Sequence, residues 1–77
     1  MKKYIVVACD MRAHYDFKND KNERVQGDAV YCCIQEVDEN ESKRPYICKQ
    51  AGALSAGTAY SVLYYDRFGR VVGGVCD

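Results

Sequence analysis

The stretch from Thr58 to Cys76 constrains the fold most. Tyr60, Val62 and Tyr64 alternate with Ala59, Ser61, Leu63 and Tyr65, then Asp66-Arg67-Phe68-Gly69 intervenes before an apolar run resumes at Val71. Alternation of period two is the pattern of a strand, because successive side chains of an extended chain point to opposite faces. Gly69 suits the left-handed position that completes a type I turn with a bulge, so the segment reads as a β-hairpin. A helix over 54–68, capped by Gly69, is the competing reading; Gly57 and the Tyr and Val content weaken it. Gly73-Gly74 marks a bulge or a point where another backbone passes close.

Lys3 to Cys9 is rich in β-branched residues and predicts a first strand ended by Asp10. Ala29 to Val37 predicts a second, with Val30, Cys32 and Ile34 on one face and Tyr31 and Cys33 on the other. A polar connection over 38–44, closed by Pro45, leads into Tyr46-Ile47-Cys48 as its hairpin partner. Residues 51–58, made of small side chains, read as a turn-rich crossing. Residues 10–28 carry Asp10, Asp16, Asp20, Glu23 and Asp28 among Arg12, Lys18, Lys21 and Arg24. They read as a long polar loop, and loops of that length in a small chain tend to be functional or mobile. The expected fold is therefore mainly β: one domain over 1–77, built as a small antiparallel sheet or partly open barrel of about five strands. A sheet with one helix near 54–68 is the alternative.

At 77 residues folding buries only about 60% of the unfolded chain's surface, so such domains often need extra stabilisation. Cysteines at Cys9, Cys32, Cys33, Cys48 and Cys76 invite a disulfide or zinc reading. Their odd number spoils a simple disulfide framework, and no Cys-x-x-Cys pair supplies the short spacing usual in zinc sites. They read instead as reduced, packed side chains of a cytoplasmic protein, with no metal and no cofactor expected. His14 with Cys9 and Asp10 or Asp16 offers the residue types of a thiol triad, without a diagnostic spacing; the expectation is that the chain is not an enzyme. Eleven Lys plus Arg balance eleven Asp plus Glu, which leaves no overall field to attract nucleic acid or an anionic membrane.

Seven Tyr and no Trp point to surfaces of the kind that binding proteins use, where Tyr beside Arg gives broad contact at low rotamer cost. Tyr64, Tyr65, Arg67, Phe68 and Arg70 cluster at the hairpin turn, and Arg12, Tyr15 and Phe17 lie in the 10–28 segment; these eight are the candidate partner-binding residues. Phe68 at a turn tip is hard to bury within its own hairpin, which suggests either a partner contact or packing under the long loop.

The run Tyr64-Tyr65-Asp66-Arg67-Phe68-Gly69-Arg70-Val71 resembles the hairpin of the tyrosine-aspartate repeats of large toxin-shell proteins. The resemblance covers eight residues once, and it implies the turn geometry alone. The expected function is a small interaction module, of the type of bacterial or phage inhibitors that dock on a larger host complex such as a defence or nucleic-acid-processing assembly. A homodimer through a strand edge is a natural companion, and no membrane contact is expected. The alternative is a nucleic-acid-binding sheet, with Tyr stacking on bases and Arg67, Arg70, Lys2 and Lys3 on phosphates.

Overall fold

The computed structural model describes residues 2–77, and every regular element among them is a strand: β1 (Lys3–Lys18), β2 (Arg24–Asp38), β3 (Glu41–Ser42), β4 (Tyr46–Lys49), β5 (Ala59–Tyr65) and β6 (Val71–Cys76). They form one antiparallel sheet in the order β3-β2-β1-β5-β6, with β4 also on β2. Six strands replace the expected five, the extra one being the two-residue β3. The helix alternative over 54–68 is overturned: Ala59–Tyr65 is strand β5, and Gly69 ends its turn at φ 79°.

The sheet does not close. Among the described residues its outer strands are joined where Gln50, just past β4, bridges to Val71 at the start of β6, with the amides of Ala51 and Gly52 also donating to the Val71 carbonyl. The result is a partly open barrel. Val6, Cys32, Ile34, Leu54, Tyr60, Leu63 and Val71 fill it, with Tyr4, Cys9 and Cys48 against them. β1 and β2 contribute the face that the pleat turns inward, as Val6 opposite Ile34 shows, and Tyr4 meets Tyr60 of β5. In β5 the register shift between Tyr60 and Val62 turns Leu63 inward along with Tyr60, against the strict alternation that the sequence predicts. The close approach expected at Gly73-Gly74 is present: a Cβ on Gly74 would lie 2.5 Å from the carbonyl oxygen of Val62 and 2.8 Å from the Tyr60 ring.

The expected loop over 10–28 is corrected outright. β1 and β2 run straight through it in continuous register, from Met11↔Tyr31 to Lys18↔Arg24, and only 19–23 turns. Met11, Ala13, Tyr15 and Phe17 alternate with Arg12, His14, Asp16 and Lys18, a period of two that the density of charge concealed. This two-stranded ribbon extends about 25 Å at 3.3–3.4 Å per residue. It stretches the molecule to 46 × 23 × 20 Å. The radius of gyration is 14.4 Å, against about 11.5 Å for a compact chain of this length.

Where the ribbon leaves the barrel, β1 slips register twice, between Val6 and Ala8 and between Ala8 and Met11, and Asp10 adopts φ 58°. Bulges of this kind bend a strand and re-aim the residues beyond the bend. Gln50, 6% exposed, holds the second one. Its Oε1 accepts from the Asp10 amide at 2.8 Å, and its Nε2 donates to Asp10 Oδ1 and to the Gly52 carbonyl, both at 2.9 Å. One side chain thus fixes the angle between ribbon and barrel.

Candidate functional site

The register of the ribbon sorts its residues by face. Arg12, His14, Asp16 and Lys18 with Arg24, Gln26 and Asp28 occupy one face; Met11, Ala13, Tyr15 and Phe17 with Val25, Gly27, Ala29 and Tyr31 occupy the other. The polar face is laced by Arg24 on Asp16 at 2.6 Å and by His14 Nδ1 with Asp28 Oδ1 at 3.1 Å. On the apolar face Tyr15 leans across Gly27, where a Cβ would come within 2.7 Å of its hydroxyl, and its ring lies 6.0 Å from that of Phe17.

This face is exposed at Ala13, Tyr15 and Phe17 and half-buried at Met11, Val25, Ala29 and Tyr31. Phe17 is 53% exposed, and an open groove of about 720 Å³ runs beside Tyr15, Phe17, Val25, Ala29 and Tyr31 to a far wall of Lys49, Ala51 and Arg70. A two-stranded hairpin is at best marginally stable in water by itself, and contiguous exposed apolar surface marks interaction sites. The ribbon face has both properties.

Arg70 connects the groove to the β5–β6 turn. The Asp66 carboxylate organises that turn, accepting from the amides of Phe68 and Arg70 at 2.9 Å each and from Arg70 Nε at 2.7 Å. Burial pushes the Asp66 carboxyl up, but the donors from Arg70 and Phe68 outweigh it and hold it below the usual carboxylate range. Phe68 stands 67% exposed, with the guanidinium carbons of Arg67 and Arg70 at 4.9 and 5.3 Å from its ring centre. The 10–28 segment is a ribbon of β1 and β2 and leaves Phe68 exposed, so the expected packing under a 10–28 loop does not occur. The two guanidinium groups instead stack on the ring by cation–π attraction and hold it outward.

The structure therefore brings Tyr15, Phe17, Arg70, Phe68 and Arg67 into one continuous surface. Arg12 lies on the opposite, polar face of the ribbon, opposite Val30. Burial pushes the Tyr46 and Tyr65 phenols up, and the charge of the neighbouring Tyr65 adds to the rise at Tyr46, so the two act on one another and Tyr65 belongs with Tyr46. Tyr64 is on the other face of β5 from Tyr65, opposite Gly73. Reasoning from sequence misses Met11, Val25, Ala29, Tyr31 and Lys49; the first four carry a period-two signal, whereas nothing local marks Lys49 or the buried Gln50.

The thiol-triad residues are not assembled: His14 faces Asp28, whereas the Cys9 thiol faces Asp10 and the Leu54 carbonyl. Among the described residues no group of three His, Cys, Asp or Glu is placed to hold a metal ion, and no helix is long and apolar enough to cross a membrane. No protein-family model, curated protein or solved structure matches the chain.

Proposed function

We propose that this chain is a protein-interaction module, of the inhibitor or regulator type, that docks on a larger protein through the apolar face of its ribbon and the adjoining Phe68 tip. One observation carries the reading: Tyr15, Phe17, Val25, Ala29 and Tyr31 line a single open groove that joins the Arg-clasped Phe68 through Arg70. Lys49 and Arg67 border that surface with positive charge, while Arg70 is already paired with Asp66, so its complement is an apolar stripe with a carboxylate at its margin. Large apolar and aromatic anchors beside Arg are what dominate binding energy at such contacts.

The nucleic-acid reading has less support. Three of its four phosphate-binding cations are already held by carboxylates: Lys2 by Glu36 at 3.4 Å, Lys3 by Asp77 at 2.6 Å and Arg70 by Asp66 at 2.7 Å. Capture of a stoichiometric protein on the immobilised chain, from host lysate with nuclease at low and high salt, tests the module. The expected result is capture that survives both treatments and falls at least about 30-fold for Phe17→Asp and for Phe68→Ala, each still folded by circular dichroism. Equal capture by these variants, or retention of nucleic acid alone with loss at high salt, overturns the reading.

A further inference from the structure

Cys32 on β2 and Cys48 on β4 are directly opposite partners in antiparallel register. Opposed residues in such a ladder have Cα atoms about 4.5–5.5 Å apart, inside the range of about 4.4–6.8 Å that a disulfide accepts. Their sulfurs are already 3.2 Å apart. Closing to a bond of about 2.05 Å takes side-chain rotation and no movement of either strand. No other cysteine is so placed. Cys33 is opposite Ala8 and Ile47, Cys76 is opposite Tyr60, and Cys9 sits in the β1 bulge with its thiol toward Asp10 and the Leu54 carbonyl.

We propose that Cys32 and Cys48 are a disulfide-forming pair, oxidised by a small disulfide of the glutathione class. Cys48 is partly exposed and Cys32 fully buried; burial, with the Cys48 contact adding, pushes the Cys32 thiol up to about 12. That asymmetry sets the order of events. The Cys48 thiolate attacks glutathione disulfide, forming a Cys48–glutathione bond and expelling one glutathione thiolate, which takes up a proton. Cys32 then gives up its proton and attacks the Cys48 sulfur, which expels the second glutathione. Two thiols lose two electrons and two protons, and one glutathione disulfide becomes two glutathiones. The new bond ties β4 to β2 beside Lys49 and Gln50, so it stiffens the wall of the groove and the clamp on the ribbon.

The test incubates the reduced full-length chain with glutathione disulfide, blocks remaining thiols under denaturing conditions, and maps tryptic peptides by mass. The expected product is peptide 25–43 joined to peptide 44–49 with the loss of two hydrogens, destroyed by reductant, together with a thermal midpoint raised by about 10 °C. Because 25–43 also holds Cys33, the joined pair must persist in Cys33→Ser and vanish in Cys32→Ser and in Cys48→Ser. Glutathione adducts alone, a joined pair that persists in Cys32→Ser, or a link confined to other peptides overturns the proposal. Should Cys32→Ser fail to fold, retention in Cys33→Ser supports the proposal and loss there overturns it.

Discussion

Two hairpins of this chain are closed by the same five-residue turn, yet only one has a core beneath it. At 19–23 the Asn19 amide donates to the Glu23 carbonyl at 3.0 Å, and Asn19 Oδ1 accepts from the amides of Lys21 and Glu23 at 2.9 and 3.0 Å. At 66–70 the Asp66 amide donates to the Arg70 carbonyl at 2.9 Å, and Asp66 Oδ1 accepts from Phe68 and Arg70 at the same offsets. The fourth residue is left-handed in both, Asn22 at φ 62° and Gly69 at φ 79°. An Asx side chain and a left-handed residue are therefore enough to reverse the chain. What differs is the context. β5 and β6 press Tyr60, Leu63 and Val71 into the barrel, while the ribbon holds its apolar face over open space. The tips differ too: Asp20-Lys21 is solvated in one, and Arg67-Phe68 forms the stacked projection in the other.

The strongest way to break this contrast is to cut the clamp between ribbon and barrel. Gln50→Ala leaves the Asp10 amide without its acceptor in a part-buried site, and is expected to cost about 2–3 kcal/mol in urea denaturation. Amide exchange should then rise along 11–18 and 24–30 more than in β5 and β6. Equal rises in both hairpins would show that Gln50 supports the whole barrel and not the ribbon's angle.

Next come the glycines that each hairpin holds under an aromatic ring. Gly74→Ala pushes a Cβ into the Val62 carbonyl and the Tyr60 ring, and overpacking of that kind costs about 1–3 kcal/mol. Its counterpart Gly27→Ala meets only the far end of Tyr15, which swings away, so global stability should change by less than about 0.5 kcal/mol. Similar losses for the two, measured side by side, would mean that the ribbon is as tightly packed as the barrel.

Acid sharpens the comparison by acting on one turn and sparing the other. Asp66 is held below its usual range. Its stabilisation is thus complete above the unfolded value of about 3.9 and is lost as pH falls through the lower folded value. Asn19 does not titrate. Between about pH 4 and pH 2 the amides of Phe68 and Arg70 should lose exchange protection ahead of those of Lys21 and Glu23, and Asp66→Asn should abolish the difference.

The hairpin at 58–76 is legible in the sequence because every local signal agrees: alternating aromatics, an Asx residue opening the turn and a glycine closing it. The ribbon hairpin carries the same devices in disguise. Asn22 takes the left-handed position without being glycine, and the charges at Arg12, His14, Asp16 and Lys18 make a one-sided strand resemble a loop. Of the candidate residues, Phe68, Arg67 and Arg70 can be placed from the turn alone. Tyr15 and Phe17 stand out by residue type without revealing the face they share, and Arg12 groups with them along the chain although the pleat turns it away.

Local pattern determined the β character, the turn at 66–70 and the shared face of Val30, Cys32 and Ile34 on β2, because these arise from backbone sterics and a period of two within a few residues. It did not give the inward face of β5, where a register shift buries Tyr60 and Leu63 together. Only the tertiary structure decided that β1 bends at Asp10, that Gln50 holds the bend, that Cys32 meets Cys48 and that Arg70 reaches the ribbon's groove. Each of these joins residues far apart in the chain. Long-range pairing depends on which strands lie side by side, and the identity of a single residue carries no record of its neighbour across the sheet.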